Sequence, residues 1–276
     1  MRILVLSDNI TSGTDFETEH GLSIYLEADT YKCLLDVGAS DLFARNAKLM
    51  NIDLSDIDYL FISHGHADHI GGLSAFLEIN EKAKIILSSQ VLNRKFYSTR
   101  GELRKISIDF DFETIKERLI TVDEKVLFEK DIALFKVETI KHSMPKANCT
   151  LFKNGDNGLI NDDFAHELII TFGKERRFVF TGCGHCGLLN ILESVNAEIE
   201  YPINYVMGGF HLLDSQNNIE FETAEEIESL GQILKQNFSL TCFITGHCTG
   251  KTAFNQLKNI LGERLIQFYV GYELEI

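Results

Sequence analysis

The chain has 276 residues, with 26 basic and 41 acidic side chains, and its formal net charge is −15 at pH 7. Hydrophobic residues make up 45% and charged residues 24%, an ordinary globular composition that can bury a core without disulfides. The charge argues against bulk attraction to nucleic acid or to an anionic membrane. No apolar run reaches the about 18 residues expected of a membrane-spanning helix. A local positive centre, such as bound metal ions, could still attract an anionic small molecule.

The chain start and the cysteines indicate the compartment. MRILVLSDNI has one basic residue and an apolar alternation that ends at Asp8, which predicts a β-strand and not a signal peptide. We therefore expect a cytoplasmic protein whose six cysteines are free thiols. Cys183 and Cys186 form a C-x-x-C pair without the second pair of a zinc knuckle, so a redox or knuckle role is a minor hypothesis.

Apolar periodicity and turn residues predict the elements in chain order. In the first third we expect strands at 2–7, 22–28, 31–36, 58–63 and 84–88, and helices at 40–50 and 71–79. The middle predicts an excursion or lid at 100–118, two or three strands within 118–140, and a polar loop at 153–163. The last third predicts strands at 167–172, 177–181, 203–207 and 241–245, and helices near 187–196, 222–236 and 251–261. This alternation predicts one α/β (α+β) domain over residues 1–276, with two sheets face to face and helices outside.

The strongest chemical signal directly follows the predicted strand at 58–63. His64, His66, Asp68 and His69 lie within six residues of one another, separated by the small spacers Gly65 and Ala67. Neutral imidazoles and ionised carboxylates are ligands of first-row metal ions, and a loop at a strand end can aim several of them at one point. The spacing therefore predicts a metal site, and Gly71-Gly72 should let the following helix pack closely.

The pattern His64-Gly-His66-Ala-Asp68-His69 resembles the H-x-H-x-D-H signature of the metallo-β-lactamase superfamily. The resemblance implies a four-layer αβ/βα sandwich with two mixed sheets and a metal site at the sheet edges. It implies two divalent ions, usually zinc (Mn²⁺ or Fe²⁺ being alternatives), that share a hydroxide. The first two histidines would hold one ion, and Asp68 with His69 would hold the other.

Later strand ends supply further candidate ligands. His247 lies in a Gly-His turn after a strand, and the resemblance implies the role of the superfamily's last metal histidine for it. The strand at 177–181 resembles the one that delivers a bridging aspartate in the superfamily, but Cys183 stands there. Either Cys183 is a thiolate ligand or His185 takes over the position. We favour His185, because an imidazole reaches further and Gly184 gives the turn freedom.

Two more histidines remain open. His211 follows a strand and a Gly-Gly turn, and it can be a ligand or a proton donor and substrate clamp; we prefer the second role, with Asp68 and His211 as catalytic residues. His142 also follows a strand where many superfamily members place a third histidine. Its surroundings lack a glycine-rich turn, so we rank it below His185.

Features along nearly the whole chain resemble one branch of the superfamily, the 7,8-dihydropterin-6-methyl-4-(β-D-ribofuranosyl)-aminobenzene-5′-phosphate synthase-like proteins. They are Asp8-Asn9, Glu19-His20-Gly21-Leu22-Ser23, HGHADHIGGL, Asp162-Asp163, TGCGHCGLLNIL, MGGFHL and GHCTG. The segment 139–148 departs from the G-E-I-P-R-like run of that group, so substrate contacts from this loop are not implied.

Three functions are consistent with these residues. The first is a hydrolase that uses a metal-bound hydroxide on a phosphoester or phosphorylated small molecule, in which His211 or His20 protonates the leaving group. The second is a synthase or lyase acting on a phosphorylated pterin-type intermediate. The third is a non-enzymatic metal or redox sensor that uses Cys183 and Cys186. We expect an anionic small-molecule substrate and no membrane, and a homo-oligomer remains open.

Overall fold

The computed structural model describes residues 1–13, 15–129, 131–215 and 219–276. The strands in the first half are β1 (Arg2–Ser7), β2 (Ser23–Glu27), β3 (Lys32–Leu35), β4 (Tyr59–Phe61), β5 (Lys84–Leu87), β6 (Phe96–Ser98), β7 (Arg104–Lys105), β8 (Leu119–Thr121), β9 (Val126–Glu129) and β10 (Ile132–Phe135). Those in the second half are β11 (Leu151–Gly155), β12 (Gly158–Asn161), β13 (Ile169–Phe172), β14 (Arg177–Phe180), β15 (Ile203–Gly208), β16 (Cys242–Thr245), β17 (Leu265–Gln267) and β18 (Glu273–Glu275).

The helices are α1 (Leu42–Leu49), α2 (Ala67–Ile70), α3 (Leu73–Ile79), α4 (Leu188–Glu198), α5 (Ala224–Asn237) and α6 (Lys251–Leu261). Short 3₁₀ helices cover Leu54–Asp56, Ser89–Val91, Phe112–Ile115, Lys146–Thr150 and Gly262–Arg264. Thr223 begins α5 with a capping box, since its side chain accepts from the Glu226 amide and Glu226 accepts from the Thr223 amide. In the described part of the chain, no helix is long and apolar enough to cross a membrane.

Two large mixed sheets carry the fold. The first has the order β18-β1-β2-β3-β4-β5-β8, and its strands β3, β4, β5 and β8 run parallel. The second has the order β17-β16-β15-β14-β13-β10-β9, and β14 to β17 run parallel. Since the carboxyl ends of parallel strands share one edge, each sheet presents the loops after these strands along a single edge.

Apolar side chains fill three layers around these sheets. The central layer takes buried residues from both sheets, and there Phe61 of β4 meets Phe172 of β13 with ring centroids 5.8 Å apart. A second layer packs α1 and α3 on the outer face of the first sheet, and a third packs α4, α5 and α6 on the second. The order helix, sheet, sheet, helix confirms the predicted four-layer α/β sandwich.

A small third sheet corrects one sequence-based prediction and gives detail to another. The order β12-β11-β6-β7 forms what we call the lid sheet, which comprises β6, β7, β11 and β12. The prediction of a loop at 153–163 is wrong, because β11 and β12 form a hairpin around Asp156-Asn157 with Lys153 opposite Ile160. The prediction failed because β12 is exposed along its length and has no apolar alternation. The excursion at 100–118 supplies β7 and a 3₁₀ helix to this region.

Candidate metal centre

Strand ends bring the chemical residues to one edge of the sandwich. His64 follows β4, and α2 carries Asp68 and His69. The loops after the parallel strands β14, β15 and β16 supply Cys183, His185, His211 and His247. Gly72 lets α3 pack close by, since a Cβ there would lie 2.2 Å from the Val37 carbonyl oxygen. Of the nine histidines in the chain, only His142 lies away from this centre.

His64, His66 and His185 form the first group of imidazoles. Their ring centroids are 4.6 to 5.0 Å apart, and the Nε2 atom of each is buried without a hydrogen-bond partner. Burial is the main cause that lowers the pKa of all three imidazoles. They are therefore neutral near pH 7, which is the form that binds a metal ion.

Hydrogen bonds fix which nitrogen of two of these rings carries the proton. The Ser63 hydroxyl donates to Asp36 Oδ2 at 2.7 Å, so His64 Nδ1–H donates to Ser63 Oγ at 2.9 Å. His185 Nδ1–H donates to Asn148 Oδ1 at 3.1 Å, while the Asn148 amide donates to the His185 carbonyl. In both rings the Nε2 lone pair is left facing the centre.

Asp68, His69, Cys183 and His247 form the second group, with ligand atoms within 4.8 Å of one another. His69 Nε2 lies 3.1 Å from both Cys183 Sγ and His247 Nε2, and Asp68 Oδ2 lies 3.3 Å from His247 Nε2. Cys183 also belongs to a second set with His64 and His185, and therefore lies between the two groups. The geometry thus brings both Cys183 and His185 to the centre.

Neighbouring charges shift the pKa values of two residues in this second group. Burial alone would raise the pKa of Asp68, but His69, His20 and His247 outweigh it and hold that pKa well below its usual value. Burial lowers the pKa of His69, but the carboxylates of Asp36 and Asp68 outweigh it and raise the pKa to about 9. A bound cation opposes that protonation, and Asp36, which accepts from His69 Nδ1–H at 2.6 Å, then holds the ring with Nε2 toward the ion.

Burial raises the pKa of the Cys183 thiol well above its ordinary value. The side chain is therefore a neutral thiol unless a cation binds, because coordination deprotonates a thiol. The turn that carries it depends on Gly182 and Gly184, at φ 58° and 69°. A Cβ on Gly182 would lie 2.4 Å from Ser63 Oγ, so only glycine allows this turn to approach the His64 loop.

His211 stands beside the first group, with its ring centroid 4.2 Å from that of His185. Both of its ring nitrogens are buried without a partner, and its backbone takes φ 50°, a strained conformation for a non-glycine residue. Burial, followed by the positive charge of Arg100, lowers the pKa of His211 well below its usual value. A neutral His211 can donate a hydrogen bond or bind an ion, in keeping with a clamp role.

His20 reaches the centre from the loop before β2. Its Nε2 lies 3.3 Å from Asp68 Oδ2, and its ring stacks on His247 at 4.8 Å. His20 Nδ1–H donates to Asn9 Oδ1 at 3.1 Å, and Asn9 Nδ2 donates to the His247 carbonyl at 2.7 Å. Asn9 and His20, from two of the sequence features, therefore reach the same centre.

Two candidate residues from the sequence lie elsewhere. His142 bonds Glu193 Oε1 at 2.7 Å on the outer side of α4 and joins none of the groups suited to a metal among the described residues. Cys186 packs in the apolar layer under α4, and its backbone amide donates to Glu167. Neither residue faces the centre, although Cys186 is only three positions from Cys183.

Sequence reasoning missed several residues that support the centre. His166 Nδ1 accepts from the Gly65 amide at 3.1 Å, so its Nε2–H donates to Asp162 Oδ2 at 2.9 Å. Asp162 Oδ2 also lies 3.8 Å from His66 Nε2. The sequence places Asp162 in an acidic pair but gives it no role. Asp36, Asn148 and His166 give no local pattern, because their partners lie far away in the chain.

These contacts test whether the residues fit metal ions. Buried polar atoms in folded proteins are normally hydrogen-bonded, yet His64, His66 and His185, whose rings are neighbours, each leave a buried Nε2 unpaired. Converging lone pairs repel one another unless a cation lies between them. A mixed set of imidazole, carboxylate and thiolate suits zinc and neighbouring first-row metals. The donor set therefore fits divalent ions.

The fold and these donors define a class: a four-layer sandwich whose two sheets meet at a histidine-rich candidate metal centre. The family model of the metallo-β-lactamase superfamily matches residues 18–129. The crystal structure of Tm1679, a metal-dependent hydrolase of the β-lactamase superfamily, aligns with a TM-score of 0.81 and 29% identity over 100% of this chain and 99% of that one. The chain is therefore similar to the metallo-β-lactamase superfamily, by the family model over residues 18–129 and by the fold over its whole length.

Curated relatives agree with the branch that the sequence resembles. The 7,8-dihydropterin-6-methyl-4-(β-D-ribofuranosyl)-aminobenzene-5′-phosphate synthase of Methanocaldococcus jannaschii is 25% identical over 98% of this chain and 95% of its own length. An uncharacterised protein from the same organism is 28% identical over 94% of each chain. The relatives thus include a named synthase, and the aligned structure is a named hydrolase.

Proposed function

We propose that this protein is a metal-dependent hydrolase that acts on a phosphoester or another phosphorylated small molecule. The observation that carries the proposal is the set of buried, unpaired Nε2 atoms of His64, His66 and His185, whose ring centroids lie 4.6 to 5.0 Å apart, together with the group of Asp68, His69, Cys183 and His247. Two divalent ions fit these groups, zinc first, with Mn²⁺ or Fe²⁺ as alternatives. Such ions, when bound, lower the pKa of water and polarise a phosphoryl oxygen.

Three side chains of the protein would have separate roles in the reaction. Asp68 stays ionised and partly exposed, with 21% of its side chain accessible, so its carboxylate can orient a water molecule. His211 is neutral and can donate a hydrogen bond that clamps the substrate. His20 is more than half exposed and contacts Asp68, so it can pass a proton to a leaving group from the solvent side.

The test combines metal analysis of the purified protein with a screen of phosphomonoesters and phosphodiesters. We expect bound divalent metal and turnover, and we expect Asp68→Ala to lose turnover by about 10²–10⁴-fold, as when a group that manages protons in the transition state is removed. Asp156→Ala, in the exposed turn of the lid hairpin, is the matched control and should keep full activity. Full activity of Asp68→Ala at unchanged metal content would contradict the mechanism.

A second function is favoured by one finding, the similarity over 98% of the chain to a named synthase. A synthase would join a phosphorylated pterin-type compound to a second organic substrate. The two functions are distinguished by whether product forms from a single phosphorylated substrate and water. Product that appears only with a second organic substrate would favour the synthase.

A sensor that uses Cys183 and Cys186 is the third hypothesis. Cys186 lies in the apolar layer and in none of the groups suited to a metal that the described residues form. We therefore expect Cys186→Ser to retain hydrolytic turnover. A loss of turnover that follows oxidation of this pair in the wild type, and that is absent in Cys186→Ser, would instead support the sensor.

A further inference from the structure

A cavity of about 200 Å³ opens above the candidate metal centre. One wall is made of centre residues, among them His66, Asp68 and His185. Another wall comes from β7 of the lid sheet and the loop before it, where Arg100, Arg104 and Lys105 line the cavity. The lid therefore supplies cations to the opening, although the whole chain has a net charge of −15.

The charges on this wall are poorly compensated. Lys105 pairs with Asp109, but Arg100 and Arg104 have no ion pair among the residues that the structure describes. Arg100 Nε is buried and has no hydrogen-bond partner. A buried guanidinium N–H without an acceptor costs free energy, and an oxyanion would supply that acceptor.

Hydrogen bonds hold the backbone of this cationic segment in place. The Arg100 amide donates to Ser98 Oγ at 3.2 Å, and the Thr99 amide donates to the Thr150 carbonyl at 2.9 Å. The Ala67 amide, between two residues of the metal-binding motif, donates to the Ile106 carbonyl at 2.7 Å. The cationic wall is thus tied directly to the loop that carries His66 and Asp68.

We propose that Arg100, assisted by Arg104 and Lys105, forms a subsite for a phosphate group of the substrate. This inference rests on the proposed function and names the group that the cavity recognises. A planar guanidinium matches a phosphate with two parallel hydrogen bonds, which an ammonium cannot do. A cavity of about 200 Å³ suits a small phosphorylated molecule, and the net charge of −15 opposes a nucleic-acid backbone outside the cavity.

The test measures binding of inorganic phosphate and of pyrophosphate to the metal-loaded protein by calorimetry, with the metal content of every variant determined. We expect Arg100→Gln to weaken phosphate binding by about 10- to 100-fold, as for loss of charge-assisted hydrogen bonds. Arg94→Gln removes the same charge from an exposed residue outside this cavity, and it should bind phosphate as the wild type does. Equal binding by Arg100→Gln and wild type at equal metal content would overturn the subsite.

A conservative variant and a pair of substrates complete the test. Arg100→Lys keeps the positive charge but lacks the planar guanidinium, so we expect its affinity for phosphate to lie between those of the wild type and Arg100→Gln. If Arg100→Gln does not fold, Arg100→Lys tests the subsite in its place. Arg100→Gln should raise KM for a phosphomonoester and leave KM for a neutral carboxylic ester unchanged. If the wild type hydrolyses no phosphoester, the proposed function fails, but the phosphate titration still decides the subsite. If the wild type does hydrolyse a phosphoester but Arg100→Gln changes neither phosphate binding nor KM, only the subsite proposal is contradicted.

Discussion

Single side chains at the centre are held by partners far away in the chain. Asp36, at the end of β3, accepts from the Ser63 amide, the Ser63 hydroxyl and His69 Nδ1, at 2.6 to 2.7 Å. Through these contacts one carboxylate orients two of the imidazoles, because Ser63 in turn receives the His64 proton. Ligand types could be predicted from H-x-H-x-D-H, but these supporting partners could not, since no local spacing links residues that meet only in the folded chain.

The Asp162 carboxylate is expected to support metal binding through the two histidines beside it. Its carboxylate accepts from His166 and lies 3.8 Å from His66 Nε2; burial would raise its pKa, but the His166 hydrogen bond and the nearby His66 ring outweigh burial and lower that pKa. Asp162→Asn keeps the shape but removes the charge that orients these rings. We expect metal affinity to fall about 10- to 100-fold, as for other partners of metal-binding histidines.

The measurement is a competition titration of Zn²⁺ against a chelator, with circular dichroism to show that the fold persists. Asp163→Asn is the matched control, because Asp163 is exposed and pairs with Lys153 instead. Unchanged affinity in Asp162→Asn would show that this carboxylate does not support the centre.

Strands and helices were predicted correctly from the sequence where burial of one face gives them a periodic pattern of apolar residues. The predicted boundaries of the strand at 2–7 and of the helix at 251–261 agree with β1 and α6, since each buries an apolar face. The lid sheet was not predicted, because β7 and β12 are exposed along their length and show no apolar period. Elements that surround the centre from outside the core are therefore the ones that sequence patterns miss.

The contact between the lid and the metal-binding loop gives a prediction at this scale. A Cβ on Gly65 would lie 2.5 Å from Cε2 of Phe96, a buried ring that begins β6 and packs on His66 and His166. Gly65→Ala should therefore displace the lid and lower the free energy of unfolding by about 1–3 kcal/mol, as overpacking does.

Urea unfolding and KM measure the two consequences, and KM should rise because the lid lines the cavity. Gly13→Ala is the control, since nothing lies within 4 Å of a Cβ at that position. A Gly65→Ala protein with wild-type stability and KM would mean that the loop and the lid are not rigidly packed together.

Across the whole molecule, the candidate centre depends on both sheets at once. The first sheet supplies His64, Asp68 and His69, and the loops of the second supply Cys183, His185 and His247. The donors of each group meet only when the two sheets pack face to face. Metal binding and packing of the central layer should therefore stabilise the same folded state.

This dependence leads us to propose that residues 1–276 fold as one cooperative domain, and Phe172 tests it. The Phe172 ring is fully buried and lies 5.8 Å from Phe61 of the opposite sheet and 6.4 Å from Tyr31. Phe172→Ala should cost about 3–5 kcal/mol and shift the entire urea transition to lower concentration as one step. The chain has no tryptophan, so the summed emission of its eight tyrosines is compared with far-ultraviolet circular dichroism. Two transitions that separate, with only one of them moved by the substitution, would show that the sheets unfold independently and that the centre joins two separately folding parts.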